Sequence, residues 1–166
     1  MSASHWHKIY RSQVAAPASV LFELVADMPK YGCWLPGSDQ YSGTTDVEPY
    51  PVGLGSRYHD GKPDGTGQAW WGTVTGFQPP GSLDFHQTID ARQIWSTIDV
   101  HVHCTFERDG DTTLVSRWLV LDFKMPFFLR PLRRVAVARF DKENLRIMAA
   151  LKEYAEAHPN GSAGQE

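Results

Sequence analysis

The sequence predicts an α+β fold in which a curved, seven-stranded antiparallel sheet wraps a long C-terminal helix, with two short helices after the first strand. Three observations carry this. A strand-like start gives way at Ala15-Ala16-Pro17 to one short amphipathic run. From Ser38 to Phe123 the chain is rich in Val, Thr, Tyr, Trp and Phe, punctuated by Gly and Pro clusters. After Pro131 neither proline nor glycine interrupts the chain up to Ala157.

The opening segment HWHKIYRSQV (5–14) reads as extended. Pro17 suits the first position of a helix, where a missing N–H is not needed. Val20, Leu21, Leu24 and Val25 follow at helical spacing and predict one buried stripe. Asp27 and Pro29 stop that helix, because a residue before proline avoids helical geometry. PKYGCW (29–34) allows one more helical turn, and Gly32 and Pro36 prevent anything longer. Strands are then expected near 39–48, 54–60, 67–77, 82–90, 94–107 and 112–123. The clusters PYPVGLG, DGKPDGTG, QPPGS and RDGD mark turns between them. Such short turns imply an antiparallel meander.

The last two strands carry the clearest hairpin signal. Asp109-Gly110 reads as a two-residue turn, which sets Arg108 opposite Asp111. One face then holds Ile98, Val100, Val102, Cys104 and Phe106 with Thr113, Val115, Arg117, Leu119 and Leu121. It is apolar almost throughout and points inward, with Arg117 its one charged member. The other face carries Asp99, His101, His103 and Trp118. In the terminal helix, Ala136, Val137, Phe140, Ile147, Met148, Leu151, Tyr154 and Ala155 share one side. Arg133 and Asn144 interrupt that side. MPFFLR is a lead-in to the helix.

The 166 residues suit a single domain over 1–157, with 158–166 a polar tail expected to fray. Net charge is −3 and the pI is near 6.1, which argues against a nucleic-acid binder that works by neutralising phosphates. No apolar run reaches the roughly 18–20 residues of a membrane span, so no stable membrane insertion is expected. MSASHWHKIYRS lacks the apolar centre of a secretion leader. The two cysteines, Cys33 and Cys104, have no metal or redox spacing and are expected to be buried thiols in a reducing cytosol. The expectation is a cytoplasmic monomer or homodimer that carries no metal or cofactor.

Several local motifs occur in a telling order. VAAPASVLFELVAD is followed by YGCWLP, then GSRYHDG, GTVTGFQPPGSLDF and GDTTLVSRWLVLDF, and finally the long helix. Over residues 7–157 this resembles the SRPBCC superfamily of helix-grip proteins. That superfamily includes START lipid-transfer domains, the birch pollen allergen and bacterial polyketide cyclase/dehydrase-like and lipid-transport-like proteins. The resemblance implies an elongated cavity between sheet and helix, with the short helix pair near its mouth. Trp34 and Pro36 would then lie near that mouth, or Trp34 would simply plug the core.

On this reading Arg117 is the most informative residue. A buried guanidinium needs partners, and in a mostly apolar pocket it suits an anionic or carbonyl head group. The alternative is an internal ion pair. Asn144 could offer its amide to a ligand oxygen or hydrogen-bond sheet backbone. Ile98, Val100, Val102, Leu119, Ala136 and Phe140 would supply apolar wall. His101 and His103, which share a strand face with Asp99, could ligate a metal if a third ligand converged, but none is evident in the sequence, and His59 with Asp60 and His86 with Asp84 are unconvincing acid–base pairs. One of Trp70 and Trp71 is expected to line the core or cavity. FKMPFFLRPLRR could touch a membrane surface or pack on the sheet.

The function expected is binding of a hydrophobic or aromatic small molecule of the lipid, polyketide or isoprenoid class. A polyketide aromatase/cyclase using the same cavity is the first alternative, and a buried His, Tyr or Asp there would favour it. An interaction module with a filled core is the second.

Overall fold

A computed structural model describes residues 2–61, 70–91 and 96–161. Its seven strands are β1 (Ser2–Val14), β2 (Gly43–Glu48), β3 (Arg57–Gly61), β4 (Trp70–Gln78), β5 (Ser82–Ala91), β6 (Ser96–Asp109) and β7 (Thr112–Met125). They form one sheet in the order β1-β7-β6-β5-β4-β3-β2, antiparallel at every pairing. After β1 comes helix α1 (Ala18–Ala26), then a 3₁₀ segment at Met28–Cys33. A 3₁₀ turn at Phe127–Leu129 leads into helix α2 (Arg130–Ala157). This is the α+β arrangement expected, with β1 returning to pair with the last strand.

Two strands start later than expected, because local side chains claim their backbone. Ser38 Oγ accepts from the amides of Gln40 and Tyr41, which holds 38–41 in a turn ahead of β2. Gly53 and Ser56 close a second turn before β3, with Gly55 at φ +85°. The expected strand residues 67–69 and 94–95, and the tail residues 162–166, lie outside the described residues.

The hairpin turn also shifts. Asp109 pairs with Thr112 and Arg108 with Thr113, so Gly110 and Asp111 form the tip. Gly110 sits at φ +62° while Asp109 keeps an ordinary negative φ, which fits a turn with glycine at its first central position. The pairing moves by two residues, so every side chain keeps its expected face. Val100, Val102, Cys104, Phe106, Val115, Leu119, Leu121 and Phe123 are all buried.

The buried stripe of α1 is Leu21, Phe22, Val25 and Ala26, one position round from the one expected. Phe22 packs edge-on against Phe77 and Phe106, and so turns Val20 and Leu24 toward the margin. The expectation of two buried thiols fails for Cys33. It is exposed, at the end of a 3₁₀ segment that buries Met28 instead, whereas Cys104 is buried in β6. α2 turns Asn144, Met148, Leu151 and Ala155 fully inward. It is clamped to β1 at Asp141, which accepts from Lys8 Nζ at 2.6 Å and from Tyr10 OH at 2.8 Å. No helix among the described residues is long and apolar enough to cross a membrane.

Candidate functional site

The inward face of the sheet does not close fully on α2. Between them lies a cavity of about 440 Å³. This falls in the range of about 300–1,000 Å³ common for small-molecule sites. Ile98, Val100, Val102 and Leu119 line it from the sheet, Trp34 from the end of the 3₁₀ segment, and Ala136 and Phe140 from the helix. Arg117 and Asn144 complete the expected set, so all nine residues face one space. A filled core is therefore not what this chain builds.

Arg117 lies opposite Cys104 in the ladder, with its side chain on the cavity wall. Its Nε donates to Asn144 Oδ1 at 2.7 Å and its Nη1 to Cys104 Sγ at 3.4 Å. No carboxylate among the described residues pairs with it. Asn144 does not reach sheet backbone. Its Nδ2 donates to Phe140 O, one turn back on its own helix, at 2.8 Å. That bond fixes the amide so that its oxygen faces the guanidinium. The two polar interruptions of two apolar faces thus meet each other. Burial pushes the Cys104 thiol up, against the pull of the adjacent guanidinium, so the sulfur is a neutral neighbour rather than a counter-ion.

A second polar group centres on Asp60, which the sequence offered only as half of an unconvincing pair with His59. On the short strand β3, Tyr58 and Asp60 point inward while His59 turns out against Trp71. Asp60 Oδ1 accepts from Thr44 Oγ1 at 2.6 Å, and Oδ2 from Gln87 Nε2 at 3.2 Å. Thr44 is in turn 2.9 Å from the Tyr41 hydroxyl. Burial raises the Asp60 carboxyl above its ordinary value, with Thr44, Gln87, His59 and Arg117 pulling the other way. The Tyr58 hydroxyl has no hydrogen-bond partner among the described residues and lines the cavity. Its ring lies over Gly72, where a β-carbon would overlap it.

Trp34 is buried, with its indole N–H donating to Leu24 O at 3.1 Å and its ring edge-on to Tyr31. It is part of the wall. Beside it Arg146 binds Pro36 O and Glu143, and Ser38 also reaches Glu143, so this flank is stapled to α2. The solvent-facing lining is instead Leu132, Val135 and Arg139, on the first turns of α2. Phe127 and Phe128, immediately before α2, are 76% and 58% exposed, so neither packs away on the sheet. Of the tryptophan pair, Trp70 lines the cavity and Trp71 is exposed.

On the outer face, His86 stacks on His101 and His103 bonds Asp84. Among the described residues no three His, Cys, Asp or Glu side chains gather as metal ligands.

Residues 7–156 match the family model described as polyketide cyclase / dehydrase and lipid transport. The chain belongs to that family. Solved structures agree on the helix-grip fold of the superfamily. The Zhui aromatase/cyclase from Streptomyces sp. R1128 aligns with a TM-score of 0.71 at 18% identity, over 98% of this chain and 100% of that one. Ara h 8.0201 aligns at 0.67 and 12% identity, over 93% of this chain and 100% of that one. One half of the di-domain ARO/CYC BexL from the BE-7585A biosynthetic pathway aligns at 0.67 and 15% identity, over 96% of this chain and 51% of that one. At these identities the likeness is one of fold. No curated protein matches the chain.

Proposed function

We propose that this family member binds a mostly apolar, aromatic or polyketide-like small molecule between the sheet and α2, with Arg117 holding its one acidic or carbonyl group. The observation that carries the reading is the guanidinium of Arg117. Among the described residues it faces an apolar cavity with only an amide oxygen and a thiol as partners. A charge so placed gains most from an anionic or strongly polarised oxygen that arrives with the ligand. Asn144 steers the guanidinium rather than competing for the ligand. The aromatase/cyclase neighbours support an aromatic or ring-forming ligand. An exposed free thiol at Cys33 suits a reducing compartment, which supports a cytoplasmic location.

The test compares two ligands of one shape, 2-naphthoate and 2-naphthylmethanol, by titration calorimetry. Arg117→Met keeps the bulk of the side chain and removes its charge. A charge-assisted hydrogen bond contributes about 1.5–3 kcal/mol, so naphthoate affinity is expected to fall about 10- to 150-fold. The neutral alcohol is expected to change little. An equal loss for both ligands, or none for either, overturns the assignment of Arg117.

A further inference from the structure

Binding by Arg117 leaves Asp60 without a task. A carboxyl on an apolar wall costs stability, and this one is held by partners from two other strands, Thr44 and Gln87. Each oxygen accepts one of those bonds. A carboxylate can accept about four, so acceptor capacity remains on the cavity side. Tyr58 stands two residues away on the same face of β3, about 7 Å along the strand, and its hydroxyl is uncommitted. Tyr58, Asp60 and Arg117 all line the one cavity.

We propose that Asp60 is a general base that removes a proton from the carbon beside a carbonyl of the bound molecule, while the Tyr58 hydroxyl and the Arg117 guanidinium stabilise the enolate oxygen. This rests on the ligand-binding reading above. The C–H bond breaks and its electron pair becomes the C=C bond of the enolate. The carbonyl π pair moves onto oxygen, and the proton moves to Asp60. Reversal returns a proton to carbon, so the step needs no oxidant, reductant or second substrate. The hydroxyls of Thr44 and Tyr41 continue from Asp60 as donor–acceptor groups. A reversal of their two hydrogen bonds, completed by loss of a proton from the Tyr41 hydroxyl to solvent water, passes the captured proton outward and readies the carboxylate for the next one. Thr44 is a positioning residue, since it acts through Asp60.

The experiment follows hydrogen–deuterium exchange at the α-carbon of 1-tetralone, an apolar bicyclic ketone, by NMR in D₂O. Binding of the same ketone is measured in parallel. The wild type is expected to bind it and to exchange it faster than buffer, with a rate that rises with pH as Asp60 ionises. Asp60→Asn is expected to bind it still and to lose about 100-fold in exchange, the lower end of what a positioned base contributes. Thr44→Val removes a hydrogen bond that favours the ionised carboxyl, so the midpoint of the pH profile should move up. Binding without exchange above the buffer rate overturns the proposal and leaves the binding reading standing. So does an Asp60→Asn rate equal to wild type, or a Thr44→Val profile with an unmoved midpoint. Failure to bind either the ketone or 2-naphthoate overturns the binding reading and this proposal with it.

Discussion

Asp60 shows how one side chain sets a condition on the whole fold. Its carboxyl resists ionisation in the native state because burial penalises the charged form. Below about pH 4 the carboxyl is neutral whether the chain is folded or not, and nothing is lost. As pH climbs through the raised native value, the unfolded chain ionises more readily and stability falls. Asp60→Asn carries no such charge. It is therefore expected to melt a few degrees above wild type near neutral pH, with the gap closing toward pH 4 in differential scanning calorimetry. A gap that stays constant with pH would mean that Asp60 is not held neutral by its surroundings. The sequence concealed this residue for a physical reason. β3 is five residues long between Gly-rich turns, and HDG looks like a surface turn. Neither parity of so short a strand is apolar enough to declare which face is inside. Arg117 was legible because it breaks a long apolar alternation, and Asn144 because it breaks a long helical stripe.

At the scale of elements, the long ones were readable and the short ones were not. β6 and β7 each run for 14 residues, so their alternation fixed the inward face even though the turn moved. α2 could be read from its 3.6-residue period and its freedom from Gly and Pro. α1 offered only nine residues, too few to show that Phe22 rather than Val20 would be taken inward. The β3–β4 pair makes a further point. Gly72 lies across from Tyr58 in the ladder, and the missing β-carbon is what admits the tyrosine ring. Gly72→Ala is expected to cost about 1–3 kcal/mol through overpacking, read as a lowered Tm. It should also drive the ring into the cavity and weaken ligand binding. Gly72→Ala with Tyr58→Leu should recover most of the stability, since leucine lacks the overlapping ring atoms. Additive losses in that double-mutant cycle would show that the two positions do not share the space.

The whole molecule is a sheet curved so far that its third and seventh strands face one cavity. In the flat ladder β3 and β7 are four strand spacings apart, about 19 Å. Curvature is what brings Arg117 round to the same cavity as Tyr58 and Asp60. Turn chemistry foretold the meander of the later strands but neither the return of β1 to β7 nor any measure of that curvature. The relay from Tyr41 through Thr44 to Asp60 joins β2 to β3 and the loop before them, and it emerges only once the sheet has closed.

The open flank lies on the first turns of α2, whereas Asn144 and its guanidinium partner sit deeper. From Val135 to Asn144 is about 13 Å along the helix. A ligand that leaves must part its acidic group from the buried guanidinium of Arg117 before it reaches the exposed, solvent-screened one of Arg139 at the mouth. Residence time is therefore set by the head group more than by the ring system. In stopped-flow displacement, 2-naphthoate should depart more slowly than 2-naphthylmethanol even at temperatures where their affinities are matched. Equal departure rates at matched affinity would mean that the acidic group meets no such barrier on its way out. A protein built this way hands over its cargo on a clock that protonation of the cargo itself would speed.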